Sequence, residues 1–159
     1  MGADEVVEGA VGRTAQLAIV GFDGSEPSLR ALDSAVQLIS GSGGRIEVVY
    51  VAHTPGAVAL SPTAQVEVTS GFQAAEGELE ELVRTHLASI AAAPSWAFSR
   101  RDGVISEELI TAAEKARSDE GGVNVIIVVG ASSHRYHHVI GSVPVALVRH
   151  AAFPILVTP

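Results

Sequence analysis

Two loops of this 159-residue chain place small and polar residues directly after apolar segments that read as buried strands. The loop at 21–25 carries Asp23, and the loop at 130–142 ends in Gly141 and Ser142 immediately before a helical segment. Small residues at that position allow an anion to approach backbone N–H groups at the positive end of the helix. The second loop therefore favours phosphate binding; the alternative is that Ser142 caps the helix and Gly141 only makes a turn.

Asp23 also has two interpretations. Its carboxylate can accept hydrogen bonds from a ribose or a base, and it is equally well placed to cap the helix that begins near Pro27. The two roles are compatible with each other. Asp23 is therefore a candidate binding residue whose structural role stays open at this point.

The histidines and serines of the second loop are weaker candidates for a metal site or a catalytic site. His134, His137 and His138 are candidate metal ligands, but no cysteine or carboxylate lies nearby in the sequence to complete a site. Ser132 and Ser133 lie outside any G-x-S-x-G elbow and have no obvious oriented base. We predict neither a metal site nor a catalytic residue.

The net charge of the chain and its distribution along the sequence bear on which ligands the protein can bind. Ten Lys and Arg residues against eighteen Asp and Glu residues give a net charge of -8, which disfavours nucleic acids and anionic membranes as partners. The segment 121–159 contains no carboxylate side chain, although it holds Arg135 and Arg149. Either this segment is mostly core, where charges are rare, or it faces an anionic ligand.

Composition indicates one folded domain. Hydrophobic residues make up 47% of the chain and charged residues 18%, and there is no cysteine for disulfides or thiolate chemistry. The acidic start of the chain does not resemble a signal peptide, and no run of about 18 apolar residues exists. We expect a cytoplasmic protein with a mobile arm at 1–16 and a single domain at 17–159.

Apolar periodicity predicts five strands that alternate with four helices, an arrangement typical of right-handed crossovers in a parallel sheet. Because of Pro154, the last strand should lie at a sheet edge or start at this proline, and 53–66 should form a loop, mobile around Pro55 to Pro62. Ligands in such folds bind beyond the carboxyl ends of the strands. The predicted strands are 17–22, 46–51, a shorter one that starts at 96–98 and has 100–102 at its end, 123–129 and 153–157. The predicted helices are 27–39, a long one that follows the loop at 53–66 and ends at Pro94, one from Ile105 to about 120, and 143–150.

Several short motifs in this order resemble a universal stress protein domain, over about 17–157. They are V-G-F-D-G-S-E-P at 20–27, Gly103 before the third helix, V-V-G at 128–130, G-S-V at 141–143 and H-A-A-F-P-I-L-V at 150–157. The resemblance implies a single doubly wound α/β domain with three α/β/α layers. Its five-stranded parallel sheet has the order 3-2-1-4-5 with four helices, and the family commonly forms homodimers.

Some members of that family bind ATP or other adenine nucleotides through a G-x2-G-x9-G-(S/T) motif. Gly130 and the pair Gly141-Ser142 match its ends, whereas Ser133 replaces the middle glycine and the following loop is two residues shorter. The resemblance implies that Asp23 approaches the ribose and base and that Val51 offers backbone groups to the adenine. The complete set of expected nucleotide-binding residues is Asp23, Val51, Gly130, Ser132, Ser133, Gly141, Ser142 and Val143.

The resulting expectation is a stress-response binding protein, a homodimer that senses or sequesters ATP, ADP, AMP or cyclic AMP. It would act through conformation or partners instead of turnover, and Mg²⁺ would enter only with ATP. Two alternatives remain: a dimeric scaffold of the same family that binds no nucleotide, and a slow nucleotide hydrolase.

Overall fold

The computed structural model describes residues 16–52, 62–131, 141–150 and 152–159, and the side chains of 62–72 are not described. The expected arm before Gln16, the mobility expected up to Pro62, and Ser132 and Ser133 therefore lie outside the described residues or side chains. Gln16 itself, assigned to the arm by sequence, is the first residue of the first strand, where it pairs with Asn124.

Five strands form one parallel sheet, as the apolar periodicity predicted, and their order β3-β2-β1-β4-β5 is the one that the family resemblance implied. The chain winds outward from β1 through β2 to β3 and then returns to the other side of β1 with β4 and β5. The reversal of winding therefore lies between β1 and β4. The elements are β1 (Gln16–Gly21), α1 (Glu26–Ile39), β2 (Arg45–Ala52), α2 (Pro62–Ala88), β3 (Ser95–Asp102), α3 (Ile105–Asp119), β4 (Asn124–Gly130), α4 (Ser142–His150) and β5 (Ile155–Thr158).

Both faces of the sheet are covered by helices, which confirms the three-layer α/β/α arrangement. Successive residues of β1 point to opposite faces, so Leu17 and Ile19 enter one core cluster and Ala18 and Val20 enter the other. All four side chains are fully buried, which explains the uninterrupted apolar run of a central parallel strand. The first cluster contains side chains of α3 and α4, and the second contains side chains of α1 and α2.

The last strand lies at the edge of the sheet, as Pro154 predicted. Proline lacks the N–H that an interior strand residue would donate, but its carbonyl remains an acceptor. The Ile127 N–H donates to the Pro154 carbonyl at 3.0 Å, so pairing with β4 begins there. β5 consequently pairs on one side only among the described strands.

The prediction for α2 was wrong at both ends. The helix begins at Pro62 instead of after Val66, because a proline at the first helical position has the backbone angle that a helix requires. It ends at Ala88 instead of continuing to Pro94. The Ile90 N–H turns back to the Leu87 carbonyl at 3.1 Å and closes the last turn. None of the helices in the described ranges is long and apolar enough to cross a bilayer.

The third strand is longer than expected. β3 runs over eight residues and pairs with β2 at every position from Ser95 to Asp102. Because it lies at a sheet edge, only the face with Trp96 and Phe98 packs against a core cluster. Its remaining positions are polar or small, so apolar content alone underestimates the length of this strand.

Candidate functional site

A cleft of about 190 Å³ lies at the carboxyl ends of the central strands, next to the reversal of winding between β1 and β4. Residues 132–140, which follow part of this lining in the sequence, lie outside the described residues. The lining residues come from every layer: Gly21, Phe22, Asp23, Ser25, Pro27, Ser28, Val49, Val51, Ile105, Leu109, Val129, Gly130, Ala131, Gly141, Ser142, Val143 and Pro144.

Asp23 reaches the cleft on a tight turn between β1 and α1. The Phe22 N–H donates to the Val49 carbonyl at 3.0 Å, which extends strand pairing to the residue before Asp23. The Ser25 N–H then donates to Asp23 Oδ1 at 3.0 Å. Gly24 has a φ of 79°, a left-handed conformation that favours glycine, and a Cβ there would lie 2.6 Å from a methyl group of Leu79.

The helix cap belongs to Ser25 and not to Asp23, which corrects one of the two interpretations of Asp23. Ser25 Oγ accepts a hydrogen bond from the Ser28 N–H at 3.3 Å, as an N-cap side chain does. Asp23 lies two residues before this N-cap position. Its carboxylate is oriented by Ser25 and remains available to the cleft.

The pKa of Asp23 lies below its ordinary value. Partial burial raises the pKa, but hydrogen bonds from the side chain and backbone of Ser25 and from the side chain of Ser28 outweigh that effect. The carboxylate is therefore ionised throughout the neutral range. Its contribution to stability is present above the unfolded-state pKa, near 3.8, and is lost as the pH falls through the lower folded-state pKa.

We expect Ser25→Ala to raise the pKa of Asp23, because the Ser25 side chain is one of the groups that lower it, whereas the hydrogen bond from the Ser25 backbone N–H remains in alanine. The same substitution removes the cap of α1 and should destabilise the protein by about 1 kcal/mol. Carboxyl chemical shifts followed over an acid titration measure the pKa, and urea unfolding measures the stability. Ser89→Ala is a matched control, since Ser89 donates to the His86 carbonyl at the end of α2. An unchanged Asp23 titration in Ser25→Ala would contradict the assignment.

Val51 presents backbone groups to the cleft. The N–H and C=O of a strand residue point to the same side and alternate along the strand. Since the Val49 carbonyl faces β1, where it accepts from Phe22, the backbone groups of Val51 face β1 as well. Pairing on this side ends with the Phe22 N–H, which donates to the Val49 carbonyl, so the described residues beyond β1 supply no backbone partner for Val51 there. A donor and an acceptor so placed suit the edge of a planar base.

Position 130 favours glycine for a packing reason that the sequence did not reveal. A Cβ on Gly130 would lie 2.5 Å from the backbone carbon and oxygen of Pro27, at the start of α1. Beyond it, the Ala131 N–H donates to the Thr158 carbonyl at 2.7 Å, which continues the pairing of β4 with β5. The chain at Gly130 and Ala131 is thus fixed by α1 on one side and by β5 on the other.

The first turn of α4 lines the cleft. The Val145 N–H donates to the Gly141 carbonyl at 3.3 Å, so Gly141 occupies the N-cap position and Ser142 is the first helical residue. The alternative that Ser142 caps the helix is therefore wrong. Backbone N–H groups at Ser142 and Val143 have no acceptor within the helix, and Pro144 has no N–H to offer. Two donors of one helix end lie in the lining of the cleft.

Apolar residues of α3 complete the lining, and sequence reasoning assigned them only to the core. Ile105 and Leu109 stand on the first turns of α3, next to Val49 and Val51 of β2. Their position near the cleft could have been predicted from the sequence, because every helix that follows a parallel strand starts at the carboxyl ends of the strands. A flat apolar ring would find a desolvated surface here.

Six of the eight expected binding residues line this one cleft: Asp23, Val51, Gly130, Gly141, Ser142 and Val143. Ser132 and Ser133 lie outside the described residues. Asp23 is the single carboxylate among the lining residues. Within the described ranges, no group of three or more His, Asp or Glu side chains is placed to hold a metal ion.

The sequence profile of the universal stress protein family matches residues 16–159, which is nearly all of the chain after the N-terminal segment. The chain belongs to this family. No curated protein gives a significant match. As a universal stress protein domain, it has the architecture expected from the motifs around the cleft.

Solved structures show the same fold at low sequence identity. Universal stress protein UspA from Lactobacillus plantarum is 19% identical with a TM-score of 0.71, over 92% of this chain and 99% of that one. A universal stress protein in complex with cAMP is 22% identical with a TM-score of 0.61, over 92% and 98%. A family protein from Arabidopsis thaliana with AMP bound is 15% identical with a TM-score of 0.59, over 91% of each chain.

Proposed function

We propose that this universal stress protein binds an adenine nucleotide in the cleft, as a cytoplasmic stress-response protein that senses or sequesters its ligand. The observation that carries the proposal is the convergence of three kinds of group in one place. They are the N-terminal donors of α4, the ionised Asp23 and the apolar lining from β2 and α3. Phosphate, ribose and base each have a chemically suitable partner among them.

The groups of the cleft suggest how the nucleotide lies. A phosphate is attracted to the N–H groups of Ser142 and Val143 and repelled by the ionised carboxylate of Asp23. Asp23 is an acceptor for ribose hydroxyls or for an exocyclic amine. The base then lies against Val51, Ile105 and Leu109. Structures of family members with cAMP and with AMP bound support an adenine nucleotide as the class of ligand.

The number of phosphates is limited by the available donors. Pro144 removes one N–H from the first turn of α4, and the loop that precedes this helix is two residues shorter than the family motif. Both features leave fewer backbone groups for a second and a third phosphate. We therefore propose a preference for AMP, cyclic AMP or ADP over ATP, with Mg²⁺ entering only together with ATP.

The direct test is to denature the purified protein and to analyse the supernatant for nucleotide by chromatography and mass spectrometry. The proposal predicts an adenine nucleotide in an amount comparable to that of the protein. A protein without nucleotide that also binds none when it is offered would contradict the proposal and favour the scaffold alternative.

We propose binding without efficient turnover, because hydrogen bonds lower the pKa of Asp23 and a carboxylate with a lowered pKa is a weak general base. The alternative of a slow hydrolase makes a different prediction. ATP turnover would exceed the background rate and would fall in both Asp23→Asn and Ser142→Ala. Turnover that both substitutions leave unchanged would indicate a contaminating enzyme.

We also propose that the protein forms a homodimer. The scaffold alternative makes the same prediction. The edge strand β5 has one unpaired side among the described strands, and such an edge is commonly covered by another chain. Val145 and Val148 on α4, next to β5 in the fold, are 37% and 58% exposed. An apolar helix face beside an open strand edge favours association of two copies.

We expect sedimentation to show a dimer at micromolar concentration and expect Val148→Asp to shift it toward monomer, because a charge would be buried in the interface. Val104→Asp is the matched control, since Val104 is 49% exposed at the start of α3. A parent protein that sediments only as a monomer would contradict the dimer. Equal effects of the two substitutions would move the interface away from α4.

A further inference from the structure

A second cavity lies at the amino ends of the strands, whereas the nucleotide cleft lies at their carboxyl ends. Its volume is about 430 Å³, larger than that of the cleft. We call it the basal groove. It is lined by the starts of β1, β4 and β5 and the last turns of α1 and α3, through Gln16, Leu38, Arg117, Val123, Asn124, Val125, Ile126, Ala152, Phe153 and Pro154.

The groove combines an apolar surface with one cation. Leu38 is 43% exposed there, although it is a large aliphatic side chain. The Arg117 guanidinium stacks over the Phe153 ring at 4.6 Å. Within the described ranges no carboxylate lies within ion-pair distance of Arg117, whereas Arg45 pairs with Glu120 close by in the sequence. An occupant of the groove should therefore be apolar and should carry negative charge.

The chain itself supplies such a segment at the correct place. Gln16 lines the groove, so the fifteen residues that precede it are joined to the described chain at the groove. Those residues include three valines, at 6, 7 and 11, and three carboxylates, at 4, 5 and 8, against a single arginine at 13. An extended chain spans about 3.3 to 3.6 Å per residue, so all of these positions are within reach.

We propose that residues 4–11 of the chain dock in the basal groove of their own domain. The valines cover Leu38 and the apolar starts of β4 and β5, and a carboxylate at 5 or 8 pairs with Arg117. The sequence alone predicted a free arm, because without the fold nothing showed an apolar surface beside Gln16. The proposal is independent of nucleotide binding, since the groove and the cleft lie at opposite edges of the sheet.

Cross-linking tests the proposal in the full chain, which contains no native cysteine. Val6→Cys, Val7→Cys and Val11→Cys are each combined with Leu38→Cys, and disulfides are formed by mild oxidation. The matched control replaces Leu38→Cys with Leu82→Cys. Leu82 is 38% exposed, but it lies beside Gly24 at the carboxyl edge of the sheet.

We expect at least one intramolecular cross-link with Leu38→Cys to form at several times the yield of its Leu82→Cys control. Arg117→Gln should lower that yield several-fold, whereas Lys115→Gln on the same helix should not, because Lys115 pairs with Asp119. Equal yields at the two edges would overturn the proposal. Cross-links formed only between chains would also overturn it, because they would assign the groove to the segment of a second copy.

Discussion

Gly141→Val should abolish nucleotide binding while it leaves the sheet folded. Gly141 is buried in the lining of the cleft and holds the N-cap position of α4, directly before the donors of Ser142 and Val143. The added isopropyl side chain would occupy the space through which a phosphate approaches those donors. Calorimetric titration with AMP, ADP, ATP and cyclic AMP measures the loss, and far-UV circular dichroism verifies the fold.

Graded variants separate phosphate contact from general damage to α4. Ser142→Ala should weaken binding by about 1 to 2 kcal/mol through the loss of one hydrogen bond to a charged group. Arg135→Ala should have a smaller effect that decreases with added salt. Val148→Ala, at the far end of the same helix, should leave the affinity unchanged. Equal affinity of Gly141→Val and the parent for every nucleotide would place the ligand elsewhere.

Gly130→Ala is expected to destabilise the fold by about 1 to 3 kcal/mol, a large share of the stability of a small domain. The added Cβ would meet the Pro27 backbone at 2.5 Å, and backbone at the start of a helix cannot move aside cheaply. The displacement would also separate α1 and β4, whose ends both line the cleft. Nucleotide affinity should therefore fall together with stability. Urea unfolding and calorimetry measure the two effects.

Gly121→Ala is the matched control for Gly130→Ala. An added Cβ at Gly121 has no atom within 4 Å and the residue has no positive φ, so the substitution should change stability by less than about 0.5 kcal/mol. If both alanine variants unfold at the parent urea concentration, the close approach of β4 to α1 does not constrain this position.

The fold was predictable because its central strands carry an unambiguous signal. β1 and β4 are buried on both faces and read as continuous apolar runs, and the helices between strands follow the handedness of parallel crossovers. The predictions were wrong for elements that pack against a core cluster on one face at most. β3 shows only Trp96 and Phe98 to a core cluster, so the sequence predicted a shorter strand than the eight residues observed. The start of α2 looked like a loop because small residues there give no apolar stripe.

The site was predictable in its location and less so in its details. The doubly wound topology brings Asp23, Gly130 and Gly141 to one edge of the sheet, and each lines the cleft. The roles of Ser25 and Gly130 depend on distances between segments that are remote in the sequence. No spacing rule reveals that Gly130 rests on the Pro27 backbone, or that Arg117 stacks on Phe153.

The most direct measurement of the central claim is a titration of the full chain with AMP, followed by its backbone amide chemical shifts. Binding in the cleft predicts saturable shifts at Ser142 and Val143, at 22–25 and at Val51, with the groove residues around Phe153 unchanged. Shifts confined to other parts of the fold, or no shift at millimolar AMP, ADP, ATP and cyclic AMP, would contradict nucleotide binding at the carboxyl edge of this sheet.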